Sequence, residues 1–166
     1  ELEGVFMDAH ASAEEHFRRG EAELEASNHS AARERFRRAH RLDPASARYR
    51  SFYGLCIGLE ESRFDRALEL CRAAAKEEFF NPVLYHNLAR VHLVFGFKAE
   101  AIRFLRRGLM IDPSNERIQE ALGQLGVRRR PVLGFLRRRH VLNRWFGRLL
   151  RRDAPGDEAE LEAFRA

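Results

Sequence analysis

Cysteine, proline and long apolar runs are all scarce in this 166-residue chain, and each scarcity excludes something. No uninterrupted apolar stretch approaches the ~18–20 residues that a membrane-spanning helix requires. Only five prolines and few β-branched runs argue against an all-β architecture. Cys56 and Cys71 match no CxxC pattern, so each is expected to be a buried free thiol rather than a disulfide partner or metal ligand. That usage is compatible with a reducing cytoplasm. The opening residues, ELEGVFMDAHAS, lack the basic and apolar parts of a secretory leader. Catalytic signatures are missing too: there is no GxSxG, P-loop, HExxH or Gly-rich dinucleotide turn. His86 and His92 would stand roughly 240° apart around a helix, so they cannot share a metal. The seven histidines are read as surface or packing residues. Neither an enzyme nor a cofactor is expected.

What is present suits a surface-rich helical protein: 45% hydrophobic and 33% charged residues, with a net charge of +5. The charge divides into three zones. Residues 1–127 carry 19 basic and 20 acidic side chains. Residues 128–152 carry ten arginines and no acid, and residues 153–166 carry five acids and one arginine. A near-neutral body, a basic segment and an acidic tail are separate problems.

The body is organised by one sentence written three times. Ala32, Phe36, Ala39, Leu42 and Pro44 recur as Ala101, Leu105, Gly108, Ile111 and Pro113, 69 residues later. Ala67, Cys71 and Ala74 hold the same offsets between them. Small and large residues at these spacings share one helix face, and the proline stops the helix. Upstream of each copy lies another helix, marked by Gly20, Gly54 and Ala89. The resulting units span residues 13–46, 47–81 and 82–115. Ser12 with Glu15 offers a capping box for the first helix. The second unit has one extra residue, placed at Glu60–Arg63, and Phe79-Phe80-Asn81 where the others have proline. Pro82 suits the first position of the third unit. Ser114 can cap a further helix over 116–126, with Ile118, Ala121, Leu122 and Leu125 as its apolar positions. Residues 1–12 show no clean period and read as a lead-in.

Three 34–35-residue helix–turn–helix units in register resemble the tetratricopeptide repeat family, in a bacterial-type form of three repeats plus a capping helix. The resemblance covers about residues 13–125. It implies an all-α fold, a right-handed α–α superhelix (solenoid) in which each pair buries its apolar face on its neighbours. It also implies a non-enzymatic scaffold that takes an extended or helical segment of a protein partner in a concave groove lined by the first helices. Carried over by register, the groove residues are Glu14, Phe17, Glu21 and Leu24; Arg48, Ser51 and Leu55; and Val83, His86, Arg90 and Leu93, with Arg48 and Arg90 available to acidic groups. Some members grip a C-terminal carboxylate with lysine and asparagine. This chain has Phe17 and Glu21 at those places, and only Asn87, added to the groove set, resembles that clamp. His16 and Glu23 depart from the apolar pattern of the family, as suits an exposed end.

The extension 127–152 contains a plausible basic amphipathic helix, with Leu142, Trp145, Phe146 and Leu149 on one face. Arg144, Arg148, Arg151 and Arg152 lie largely opposite, and with Arg137, Arg138 and Arg139 of the preceding loop they make the basic surface of the extension. Four readings stand. The apolar residues can close the end of the solenoid; the helix can lie on an anionic membrane surface, making the chain a peripheral adaptor; or it can dock an acidic protein or a second copy of the chain. Phosphate contact is the fourth, but no recognition motif or aromatic stacking platform accompanies the arginines, so nucleic acid is not an expected partner. The tail, 153–166, with Leu161 and Phe164 among its acids, can fold back on the arginines or occupy a groove, and is expected to be held.

Overall fold

The computed structural model describes residues 2–126, with side chains from residue 11 onward. Seven α-helices and no strand are present among them: α1 (Leu2–Glu25), α2 (His29–Leu42), α3 (Ala47–Glu61), α4 (Phe64–Glu77), α5 (Pro82–Val94), α6 (Lys98–Ile111) and α7 (Glu116–Gln124). α1 packs on α2, α3 on α4 and α5 on α6, while α3 also meets α2 and α5, and α7 covers α6. This is a solenoid of stacked helix pairs, closed at its far end by α7.

The small residues of the repeat are where the helices come closest. A Cβ on Gly20 would lie 2.7 Å from the Phe36 ring, and one on Gly54 would lie 2.9 Å from Leu70 Cβ and 3.1 Å from the Ala67 carbonyl. One on Gly108 would meet Ile118 of α7 at 2.6 Å. Large residues fill the space these leave. Phe17, Phe36 and Phe52 form a buried aromatic cluster with centroids 5.0–5.3 Å apart. A second buried group, including Leu93, Leu105, Ile118 and Leu125, joins unit three to α7. Both cysteines are buried and unpaired, as expected.

The turns within units each use one left-handed residue: Ser27 (φ 59°), Ser62 (φ 52°) and Gly96 (φ 80°). The extra residue of unit two is absorbed by lengthening α3 to Glu61, which leaves two residues before α4 instead of three. The junctions between units are alike despite the missing proline. Ser46 N–H donates to the Asp43 carbonyl, Asn81 to Glu78 and Asn115 to Asp112, at 3.1–3.4 Å. In the proline-free junction the Tyr85 hydroxyl donates to the Phe79 carbonyl (3.0 Å), and Asn81 Nδ2 donates to Glu78 (2.8 Å).

Two expectations are corrected. Residues 2–12 are not a separate lead-in but the start of α1, and Ser12 lies inside that helix. A capping oxygen ends a helix only when the residues before it cannot continue one; from Val5 to Arg19 there is neither glycine nor proline to stop it. At α7 the N-cap is Asn115, whose Oδ1 accepts from Ile118 N–H (3.2 Å). Ser114 donates instead to Asp112 (2.7 Å).

Candidate functional site

The first helices of the units, together with α7, border a cleft of about 320 Å³ on the concave side. Its walls are Glu21, Leu24 and Glu25 of α1, Phe52 of α3, Val83, His86, Asn87 and Arg90 of α5, and Asn115 and Arg117 at the start of α7. Six of the residues expected from the register are there: Glu21, Leu24, Val83, His86, Asn87 and Arg90.

Four others are not available to a ligand. Phe17 and Leu55 are completely buried, Leu93 nearly so, and Ser51 is buried as the acceptor of a hydrogen bond from Asn87 Nδ2 (3.1 Å). Stacking turns these positions into the core, because neighbouring first helices pack on them. Arg48 is also already engaged. Its guanidinium lies 3.9 Å from the centroid of the Phe17 ring and is paired with Glu21 (3.4 Å) and Glu14 (3.8 Å). Glu14 in turn accepts from the Tyr49 hydroxyl (2.8 Å). The arginines of α2 are occupied likewise: Arg33 by Glu60 and Glu61, Arg37 and Arg38 by Glu34. The basic surface at Arg137–Arg152 and the acidic tail lie outside the described residues.

Arg90 differs from all of these. It is half-buried in the cleft, and no ion pair or hydrogen bond to it is present among the described residues. Burial, and then the neighbouring Arg117, push its pKa down, which marks a cation short of compensating charge. Burial first, then Arg90 and Arg117, lower the His86 imidazole to about 4, so it is neutral at pH 7. Arg117 is held across the mouth of the cleft by Glu25 at 3.6 Å, with both side chains largely exposed. Such a pair is weak, on the order of 0–1 kcal/mol, and easily exchanged. The site therefore offers one desolvated guanidinium, a second that is loosely held, a neutral imidazole, and an apolar wall of Leu24, Phe52 and Val83. That combination suits a carboxylate flanked by apolar side chains.

Among the described residues no group of His, Cys, Asp or Glu could hold a metal ion. The thiols of Cys56 and Cys71 are pushed up to about 12 by burial, which leaves neither a nucleophile. No helix there is long and apolar enough to cross a membrane.

The lining residues that sequence reasoning missed were within its reach. Arg117 stands 34 residues after Val83, which stands 35 after Arg48, so extending the register into α7 points to it. Phe52 stands 35 before Asn87 and is its counterpart one unit earlier. α7 occupies the place of a fourth first helix, and its first turn is a wall of the cleft rather than a mere cap.

Comparison with known proteins agrees with this architecture. Residues 58–125 match the family model described as tetratricopeptide repeat. The tetratricopeptide repeat domain of Arabidopsis OM64 superposes with a TM-score of 0.56 at 21% identity, over 73% of this chain and 99% of that one. At that identity the likeness is one of fold. No curated protein matches the chain. Repeats of this kind generally mediate protein–protein interaction through their concave surfaces. Three helix pairs in one register, small residues at each close approach and the family model matched over residues 58–125 identify this stretch of the chain as tetratricopeptide repeat in type.

Proposed function

We propose that the protein is a non-enzymatic scaffold whose cleft between α1, α5 and α7 takes an acidic–apolar segment of a partner protein. One observation carries this reading: Arg90 sits desolvated in the cleft without a counter-ion among the described residues, beside an apolar wall. A carboxylate entering there gains a charge-assisted hydrogen bond of about 1.5–3 kcal/mol, and its apolar neighbours cover Leu24, Phe52 and Val83. Arg48 plays no comparable part, because Glu14 and Glu21 already satisfy it.

The test is fluorescence anisotropy of the full-length chain, with Asp157, Glu158, Glu160 and Glu162 replaced by their amides so that its own acids do not compete, against two libraries of 12-residue peptides, acidic–apolar and basic–apolar. Acidic–apolar peptides bind and basic ones do not. Arg90→Gln weakens binding about 10-fold or more, matching the lost bond, while Arg48→Gln changes it by less than about 3-fold. Absence of any acidic–apolar binder, or equal losses for the two variants, refutes the reading.

A further inference from the structure

The chain carries its own candidate for this cleft. After α7 the sequence contains one acidic stretch, residues 153–166, where Asp157, Glu158, Glu160 and Glu162 alternate with Leu161 and Phe164. Asp157, Leu161 and Phe164 are spaced to share one face of a helix. The cleft presents the complementary set: the guanidinium of Arg90, which has no counter-ion among the described residues, the loosely held Arg117, and the apolar side chains of Leu24, Phe52 and Val83. The tether also fits. α7 forms one wall of the cleft and ends at Gln124, and 30 residues separate Gly126 from Asp157. Thirty residues can reach up to ~100 Å when extended, so chain length allows the segment to return to a cleft that α7 itself borders. Joining the two parts gives an effective concentration in the millimolar range, so a segment of weak intrinsic affinity still fills the site.

We propose that Asp157–Phe164 occupies the cleft in cis, with carboxylates on Arg90 and Arg117 and with Leu161 and Phe164 on the Leu24–Phe52–Val83 wall. This rests on the acidic–apolar preference proposed above and adds regulation to it: a partner must displace the chain's own segment. The ten arginines of 128–152 are the competing seat for the same acids. Arg90 is desolvated in the cleft, where a carboxylate gains more than it would from any guanidinium left in water, so the cleft is the seat proposed.

The experiment compares the full chain with a full-length variant carrying D157N, E158Q, E160Q, E162Q, L161A and F164A. The Val83 methyl and Arg90 side-chain NMR signals report the cleft, and a synthetic peptide of residues 153–166 is the probe. The two proteins are expected to differ at Val83 and Arg90 without any additive. The peptide is expected to restore the parental shifts in the substituted chain, and to bind the parent at least 10-fold more weakly because the site is filled. Arg90→Gln in the substituted chain should abolish this binding. Val83→Asp, at an exposed wall position that leaves folding undisturbed, should do the same by repulsion. Identical Val83 and Arg90 signals in the two proteins, equal peptide affinity, or binding that survives both substitutions overturns the proposal and places the acids elsewhere. If library peptides bind the cleft but the tail neither binds nor competes, the cis segment alone fails. If no acidic peptide binds, the functional reading fails with it.

Discussion

Gly54 provides the most direct test of how the helix pairs are built. A Cβ there would lie 2.9 Å from Leu70 Cβ, 3.0 Å from Cys71 Sγ and 3.1 Å from the carbonyl oxygen of Ala67. The carbonyl belongs to the backbone of α4 and Leu70 Cβ is fixed to it, so α4 as a whole must move away. Overpacking of this kind costs about 1–3 kcal/mol. Alanine also gains about 1 kcal/mol over glycine as a helix former, which partly hides the strain. Gly123 supplies the reference: it is in α7, exposed, and a Cβ there meets nothing within 4 Å. Gly123→Ala should therefore raise stability by up to about 1 kcal/mol, and Gly54→Ala should lower it. The difference between the two variants isolates the strain, about 1–3 kcal/mol. Urea unfolding followed by circular dichroism at 222 nm measures both, with unchanged m-values as the sign of an intact two-state transition. Equal shifts for the two variants would show that α3 and α4 are not in the close contact described.

Acidification should unfold the protein in a defined window. His16, His40 and His92 each have a buried ring nitrogen without a hydrogen-bond partner among the described residues, and burial is the first cause lowering each pKa. Their folded pKa values lie below the ordinary 6.5, so as the pH falls past that point the unfolded chain takes up protons that the folded chain refuses. Stability is full above about pH 6.5 and declines toward pH 5. His86, lowered to about 4, contributes up to about 2 kcal/mol of that loss. Urea midpoints unchanged between pH 7.5 and 5 would refute this. His92→Phe, in a pocket of Phe64, Phe97 and Phe104, should raise stability at pH 6 and flatten part of the profile. Cys56 and Cys71 should be inert to Ellman's reagent in the native protein and react together in denaturant; native-state reaction of either would contradict its burial. Ser62→Gly should stabilise by up to about 1 kcal/mol by relieving a left-handed residue at the end of α3, measured by the same urea midpoint.

Much of this architecture could be read in advance, for physical reasons that also explain the misses. Ala32, Ala67 and Ala101 mark a local periodicity, and periodicity is a property of neighbours in sequence. It placed the small residues on one face of each second helix, and Pro82 stands at the start of α5 as expected. Burial is not local. Phe17 and Leu24 share one face of α1, yet Phe17 lies under Phe36, Tyr49 and Phe52 while Leu24 reaches the cleft. Arg48 looked free because the acids that hold it, Glu14 and Glu21, are a whole unit away in sequence. Ser12 and Ser114 mislead for another reason: a capping side chain reports that a helix can start, and neighbouring residues decide whether it does.

The cleft has its two walls on α1 and α7, the first and last of the described helices. Its width is therefore a count of the units between them. Splicing in a fourth unit at one of the three equivalent junctions would carry α7 farther along the stack by the spacing of neighbouring helices, about 8–10 Å for each one added. Arg117 would lose Glu25, and the first turn of α7 would no longer border the cleft together with α1. The number of repeats, no less than any residue in them, acts here as a determinant of what can be held.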